Sequence, residues 1–401
     1  MSHKPRILFV MHYLEIGGAE TALIGLLNTI DYSRYDVDLF LHSHQGEMMS
    51  FVPKEVNLLP EIPIYAQIER PIKNVLKDGY WRMVAARLKA KMRTRRYISK
   101  HHVVKETSIG LQYTAAAISP LLPAINPSVE YNLAISFLLP HIIVRDKVRA
   151  RKKACWIHTD YSAVHVNTEV ELPVWSAFDY VVSISNDVTK SFLQTFPTLE
   201  SKIVLIENIL SPTFVRQRAE EFDAMPELQK DKLKLLSVGR FLKPKNYDNL
   251  PDICRRMVEI CDVDFRWFII GYGHDEPFIR TKIAEAGMED HVIILGKRSN
   301  PYPYIKACDI YIQPSRYEGK SVTVREAQML YKPVVVTNYP TAPSQIKDGH
   351  DGVIVPMDNQ GCAEGIINLM RDKAKQEEIT AYLKTHDYGN EKEVEKLYEM
   401  L

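Results

Sequence analysis

Long apolar runs are missing from this chain of 401 residues. No stretch reaches about 18 apolar residues, the length that a membrane-crossing helix needs. The longest candidate, Ile109 to Ile125, is broken by Gln112, Pro120 and Pro123. A membrane-spanning chain is therefore not expected. An excess of one charge is missing too: 51 Lys and Arg meet 50 Asp and Glu, for a net charge of +1. Nothing global points to nucleic acid as a partner. Cysteine is sparse, with Cys155, Cys254, Cys261, Cys308 and Cys362 alone. The closest two, Cys254 and Cys261, lie too far apart for a CxxC pair, so neither a thiolate metal site nor a redox pair is expected. An odd, scattered set fits a reducing cytosol. The first residues lead straight into Ile7-Leu8-Phe9-Val10, a run too short for a secretion signal. A cytoplasmic location is the expectation.

What the chain has is alternation. Strand-like apolar runs fall at Ile7–Met11, Val37–Leu41, Leu133–Phe137, Ala154–Ile157, Tyr180–Ile184 and Ile203–Ile206, then at Leu233–Val238, Phe265–Ile270, Val292–Leu295, Ile310–Gln313, Val334–Thr337 and Gly352–Val355. Helical patterns separate them. Continuous Val/Ile/Leu runs indicate strands buried on both faces, hence parallel sheets covered by helices. The fold class is α/β, with two consecutive doubly wound, Rossmann-like domains. They are expected at 1–210 and 211–387, with a boundary near Leu210-Ser211-Pro212 and a polar helical stretch from Arg216 to Lys234. A last helix, at about 388–401, is a candidate to pack back on the first domain.

The most informative feature is a pair of glutamates eight positions apart, Glu318 and Glu326. Glu318 follows the run Ile310-Tyr311-Ile312, and Glu326 lies about one turn into the next helical pattern. Ligands of open α/β sheets bind at the carboxyl ends of the strands. Two carboxylates there suit a polyhydroxylated ligand. Ser321 and Val322 open the following helix, whose first amides favour an anion, and Lys320 adds charge. The strand Leu235–Val238 runs into Gly239-Arg240 and on to Lys245. Gly239 permits a tight exit, and a guanidinium with an ammonium suits a diphosphate. In the first half, Gly17-Gly18-Ala19-Glu20 opens a helix after the first strand, and small residues let a ligand approach the backbone. His158 follows the strand Ala154–Ile157, again at a ligand-binding edge.

One segment is unlike the rest. From Arg70 to Lys105, twelve bases stand against Asp78, among Val75, Leu76, Trp81, Met83, Val84, Leu88 and Met92. Such a helix can lie on an anionic membrane surface, which makes peripheral attachment to the inner face of the membrane an expectation. The plainer account is a solvated helix face.

Other patterns fail on inspection. Gly319-Lys320-Ser321 resembles the end of a phosphate-binding loop, but Pro314 occupies the place of its first glycine. Gly271-Tyr272-Gly273 begins like a dinucleotide fingerprint and lacks the third small residue. Asp36-Val37-Asp38 and Asp262-Val263-Asp264 have DxD spacing; surface carboxylates are the expectation for both.

Taken in order, these residues resemble the retaining family-4 glycosyltransferases, glycosyltransferase group 1, of the GT-B fold. The resemblance rests on Gly17-Gly18-Ala19-Glu20, Ile157-His158-Thr159, Val182-Ser183-Ile184-Ser185, Val238-Gly239-Arg240 with Lys245, Ile270-Gly271-Tyr272-Gly273, Leu295-Gly296, the glutamate pair, Lys332-Pro333-Val334-Val335 and Asp348-Gly349-His350-Asp351-Gly352. It implies two Rossmann-like domains about a cleft, the second binding a nucleotide-diphosphate sugar as co-substrate and the first a glycan or lipid-linked acceptor. Arg240 and Lys245 would neutralise the diphosphate, Glu326 would hold the ribose, and Glu318 and His158 would lie beside the donor sugar. Gly17 and Gly18 would meet the diphosphate. The resemblance implies no metal and no other cofactor, and a role in surface polysaccharide assembly. Two departures stand out: Lys320-Ser321 where many members have an aromatic and a glycine, and Ser344-Gln345-Ile346 where many have a glutamate. Two rivals share the architecture: a nucleotide-sugar 2-epimerase, and a protein that binds nucleotide sugars without turnover.

Overall fold

The computed structural model describes residues 4–103, 106–159, 161–162, 164–228, 231–318 and 320–401. Lys105 and Gly319, which belong to segments singled out above, lie outside the described residues. The chain divides into two compact units, 1–209 with 390–401, and 210–389.

In the first unit the strands are β1 (Arg6–Met11), β2 (Asp36–Leu41), β3 (Asn57–Leu58), β4 (Glu106–Thr107), β5 (Tyr131–Ser136), β6 (Ala150–Ile157), β7 (Val164–His165), β8 (Tyr180–Ser183) and β9 (Ile203–Leu205). Among the described residues, seven of them form a sheet of order β3-β2-β1-β5-β6-β8-β9, parallel throughout. The short strands β4 and β7 pair apart from it. The second unit holds β10 (Leu233–Val238), β11 (Phe265–Ile270), β12 (Val292–Gly296), β13 (Ile310–Gln313), β14 (Val334–Thr337) and β15 (Val353–Val355). They form a second parallel sheet of order β12-β11-β10-β13-β14-β15.

In both sheets the order reverses beside the first strand, between β1 and β5 and between β10 and β13. Such a switch leaves a crevice at the carboxyl ends of those strands. The strands are apolar on both faces because helices cover both: Ile7, Leu8, Phe9, Leu235, Leu236, Trp267, Phe268 and Ile310 are fully buried.

Two local readings change. The stretch read as helical from Arg216 to Lys234 is a helix only over Pro212–Ala219, followed by turns. Its run of charges carries no apolar stripe long enough to hold a longer helix. Asp38, expected at the surface, is buried; Tyr131 donates to its Oδ2 at 2.6 Å and Asn57 to its Oδ1 at 2.9 Å. The other three acids of the two DxD patterns pair with Arg6, Arg371 and Lys232.

The last helical turns, 391–398, pack within the first unit. The Tyr398 hydroxyl accepts from the Asp31 amide at 2.8 Å, its ring stacks on Tyr35, and Lys396 donates to the Leu205 carbonyl at 3.0 Å. The helix Gly18–Leu27 packs closely on Ile209, where the first stretch of this unit ends. A Cβ on Gly25 would lie 2.2 Å from the Ile209 carbonyl oxygen. Gly25→Ala should therefore destabilise the chain by about 1–3 kcal/mol. Gly18→Ala, whose Cβ would meet nothing within 4 Å, should not. Thermal unfolding of both variants checks the contrast.

Candidate functional site

The second unit gathers polar groups at its switch point. Oε1 of Glu318 accepts three hydrogen bonds: from Lys245 Nζ at 2.6 Å, Ser315 Oγ at 2.6 Å and Gln313 Nε2 at 3.0 Å. Gln313 ends β13, and Lys245 closes a short turn after β10. The carboxylate thus ties together the two strands that flank the crevice. Glu318 is 9% exposed, and a cation and two neutral donors offset the cost of burying it. From the other side, Thr341 Oγ1 donates to the Glu318 carbonyl at 2.7 Å.

Gly239 leaves β10 where a side chain has no room: a Cβ would stand 2.9 Å from the Tyr247 hydroxyl and 3.4 Å from Lys245 Cε. Tyr247 is buried and its hydroxyl has no hydrogen-bond partner among the described residues. Arg240 is exposed. It donates to the Tyr272 hydroxyl at 3.3 Å, with its Cζ 5.4 Å from that ring. Lys297 stands 5.1 Å from the same ring. No hydrogen bond or ion pair joins Arg240 to Lys245 or Glu318 among the described residues; the loop Gly239–Lys245 carries both cations on one strand end.

The helix expected after Glu318 runs from Val322 to Met329, with Ser321 as its N-cap. Ser321 is buried. Its amide donates to Gln345 Oε1 at 3.0 Å and its carbonyl accepts from Gln345 Nε2 at 2.6 Å. Gln345, in the segment that departs from the family pattern, thus clamps the backbone, and the Ser321 amide is spent on it. Val322 is half-buried and Lys320 exposed.

Glu326 belongs to a different neighbourhood. It is 3% exposed, and the Tyr302 hydroxyl donates to its Oε1 at 2.7 Å. Burial pushes its pKa up to about 7, opposed by the Tyr302 hydrogen bond and the charge of Arg218. Arg218 is itself buried and lies 3.1 Å from Glu221. The two glutamates therefore share a helix approach but no partner.

In the first unit Gly17 has φ −165°, extended backbone open to any residue, and caps the helix Gly18–Leu27. His158 follows β6. Its ring packs 4.8 Å from Phe137, and its Nε2 is buried without a hydrogen-bond partner among the described residues. Burial lowers its pKa to about 4, partly offset by a hydrogen bond to the Phe137 backbone. It is a neutral imidazole at pH 7. His12, beside Glu20 at 3.8 Å, is lowered to about 4 by burial as well, so that contact is no ion pair at neutral pH.

The basic segment consists of the helices Ile72–Lys77 and Trp81–His101. Trp81, Leu88 and Met92 are exposed, at 67%, 45% and 55%, and their spacing puts them on one stripe. Exposed Arg82, Lys89 and Arg96 flank it on one side and Lys91 and Arg95 on the other. Met83, Val84 and Ala90 are buried. No helix among the described residues is long and apolar enough to cross a membrane.

Reading the sequence missed Gln313, Ser315, Tyr302 and Gln345. A polar residue closing an apolar strand, as Gln313 does, was the available signal for the first two. Nothing local marks Tyr302, which reaches Glu326 only through the fold.

Two parallel sheets in this order give the chain the GT-B class of α/β fold. The family model of the glycosyl transferases group 1 matches residues 218–386. Among curated proteins it is 27% identical over 196 residues to the N-acetylgalactosamine-N,N'-diacetylbacillosaminyl-diphospho-undecaprenol 4-alpha-N-acetylgalactosaminyltransferase of Campylobacter jejuni, covering 48% of this chain and 51% of that one. It is 29% identical over 151 residues to the amylovoran biosynthesis glycosyltransferase AmsK of Erwinia amylovora, covering 35% of this chain and 37% of that one. The match thus spans about half the length of the first relative and less of the second. Solved structures of the same fold include HepE of Anabaena in complex with UDP-glucose, at TM-score 0.65 and 16% identity over 99% of this chain and 100% of that one. A glycosyltransferase from Rickettsia africae follows at TM-score 0.64 and 17% identity over 99% and 98%.

The raised pKa of Glu326 has a measurable consequence. The folded state holds this proton up to about pH 7, the unfolded chain only to the ordinary value of 4.5. Folding stability should therefore fall as pH rises through that window, by up to about 3 kcal/mol. In Glu326→Gln, which keeps the acceptor for Tyr302, this share of the pH slope should vanish. Chemical denaturation at pH 5 and pH 8 checks it.

Proposed function

We propose that this chain is a retaining, metal-independent glycosyltransferase that moves one sugar from a nucleotide-diphosphate donor to a glycan or lipid-linked acceptor in surface polysaccharide assembly. The observation that carries the proposal is the convergence of Lys245, Arg240 and Glu318 on the switch point of the group 1 domain. The names of the relatives support it: one acts on a diphospho-undecaprenol-linked saccharide and another belongs to amylovoran biosynthesis.

The reaction breaks the bond between the anomeric carbon and the diphosphate oxygen and forms one to an acceptor hydroxyl. Negative charge grows on the departing diphosphate. Lys245 gives one N–H to Glu318 and retains two for a phosphate oxygen; Arg240 offers a planar fork on the same loop. Preorganised cations aimed at developing charge lower the barrier, and they fill the place of a divalent ion. On the same face, a phosphate oxygen takes the acceptor proton, so the anomeric configuration is kept. Glu318, with Oε1 spent, leaves Oε2 for a donor-sugar hydroxyl. Oε2 of Glu326 is left for the ribose. His158 presents a neutral ring nitrogen suited to a hydroxyl, and Gly17 and Gly18 leave room at the edge of the first sheet.

Lys245→Ala and Arg240→Ala should each lower transfer by about two to three orders of magnitude, and Glu326→Ala should mainly raise the donor KM. Rates like those of the unmodified chain in all three would refute the site. A panel of UDP, GDP and ADP sugars, with and without EDTA, names the donor by thermal shift and by slow hydrolysis; loss of activity in EDTA would overturn metal independence. Epimer formation in that panel would favour a 2-epimerase instead.

The stripe of Trp81, Leu88 and Met92 between two rows of bases fits a helix lying in the surface of an anionic leaflet. Each base near such a surface contributes about 1 kcal/mol. The chain should float with vesicles containing phosphatidylglycerol and not with neutral ones. Trp81→Ser with Met92→Ser should weaken flotation, and equal flotation of both proteins would sink the assignment.

A further inference from the structure

A cavity of about 440 Å³ opens between the helices Trp81–His101 and Ile109–Ile118 of the first unit. Its size falls within the roughly 300–1,000 Å³ of small-ligand pockets. Ile68, Ile72 and Leu111 give it an apolar lining, and Arg87 and Lys91 bring two cations. The Arg87 guanidinium is fixed from behind, with Nη1 donating to the carbonyls of Gln67 at 3.1 Å and Arg70 at 2.7 Å. Its Nε and Nη2 carry no hydrogen bond from the described residues. Glu69 is the carboxylate in the lining; it hydrogen-bonds Tyr13, just past β1, and lies in the field of Arg87. Pro140, also in the lining, lies a few residues past the end of β5. The cavity thus opens beside the carboxyl ends of β1 and β5, the switch point of this sheet. Lys91 stands between the cavity and the exposed stripe of Trp81, Leu88 and Met92.

We infer that this cavity binds an acceptor of the prenyl-diphosphate class, with Arg87 and Lys91 on the diphosphate and Ile68, Ile72 and Leu111 on the first isoprene units. The inference rests on the glycosyltransferase reading and narrows its acceptor. An apolar groove alone would take a free hydrocarbon, and two cations alone an inorganic anion. Their juxtaposition selects an amphiphile that carries both. A diphosphate also matches two cations better than a monoester does, and a fixed guanidinium holds two of its oxygens at once. A saccharide attached to the far phosphate would then lie at the strand edge that carries Gly17 and His158.

Isothermal titration of the full chain with farnesyl diphosphate, farnesol and inorganic diphosphate tests this. Farnesyl diphosphate should bind about tenfold or more tightly than either half alone. Lys91→Gln, an exposed change, and Thr114→Phe, which fills the cavity from the second helix, should each weaken it about tenfold. Slow hydrolysis of the nucleotide sugar should be unchanged in both. Unaltered binding in the two variants would place the ligand elsewhere and overturn the inference. So would inorganic diphosphate or farnesol binding as tightly as the amphiphile. Phosphatidylglycerol vesicles that lose binding in Thr114→Phe would assign the cavity to a membrane lipid and overturn it as well. An unmodified chain that binds farnesyl diphosphate but hydrolyses no nucleotide sugar would sink the transferase reading and leave the cavity's ligand standing.

Discussion

The contact on which the candidate site depends is the ion pair between Lys245 and Glu318, 2.6 Å long and largely shielded from water. A carboxylate in that position is costly without partners, and this one has three. Each comes from a different piece of chain: the turn after β10, the end of β13, and the loop beyond it. Removing the carboxylate would leave Lys245, Gln313 and Ser315 without their acceptor and unfasten two strand ends. The pair is therefore a structural tie. It sets the loop that carries Arg240, and it holds an ammonium with two donors still to give. Gln313 extends the same network inward: its amide oxygen accepts from Tyr311 at 2.9 Å and Thr323 at 3.2 Å, which fastens the first turn of the following helix to the strand.

The strands were legible because parallel, doubly covered strands are apolar along most of their length, and a run such as Val334-Val335-Val336, fully buried, reads as one directly. The sheet order was not legible. It comes from which helices cover which face, and that is decided by contacts between residues far apart in sequence. The site was legible in part for the same reason. Glu318, Arg240 and Lys245 sit just after apolar runs, so their place at a strand end could be read directly. Gln345 and Tyr302 could not be found that way, because each reaches its target across the fold, to Ser321 and to Glu326. Asp38 misled for the opposite reason: its neighbours suggested an exposed strand start, whereas Tyr131 and Asn57 supply the hydrogen bonds that make its burial tolerable.

The departure at Lys320-Ser321 has a local explanation. Ser321 is buried and its backbone is bonded at both ends to Gln345, which lies in the other segment that departs from the family pattern. The two departures are one arrangement. A glutamate at 345 could accept from the Ser321 amide but could not donate to its carbonyl. With Gln345 both bonds are made, and the entry to the helix is fixed without help from a ligand. What remains free to differ is Lys320, exposed at the mouth of the loop, where a cation replaces an aromatic ring.

Glu326 shows how far the fold, rather than the residue type, decides a carboxylate's behaviour. It is eight residues from Glu318, yet a cation holds one and a phenol the other. A tyrosine hydroxyl stabilises an ionised carboxylate by a single hydrogen bond, which does not repay burial. Arg218 lies close enough to help, but Glu221 stands 3.1 Å from it and cancels much of its field. The result is a carboxyl that titrates near neutrality, able to donate as well as accept. Glu318 has an ammonium and two neutral donors on its Oε1 instead. The difference between the two acids follows from these partners and not from their spacing.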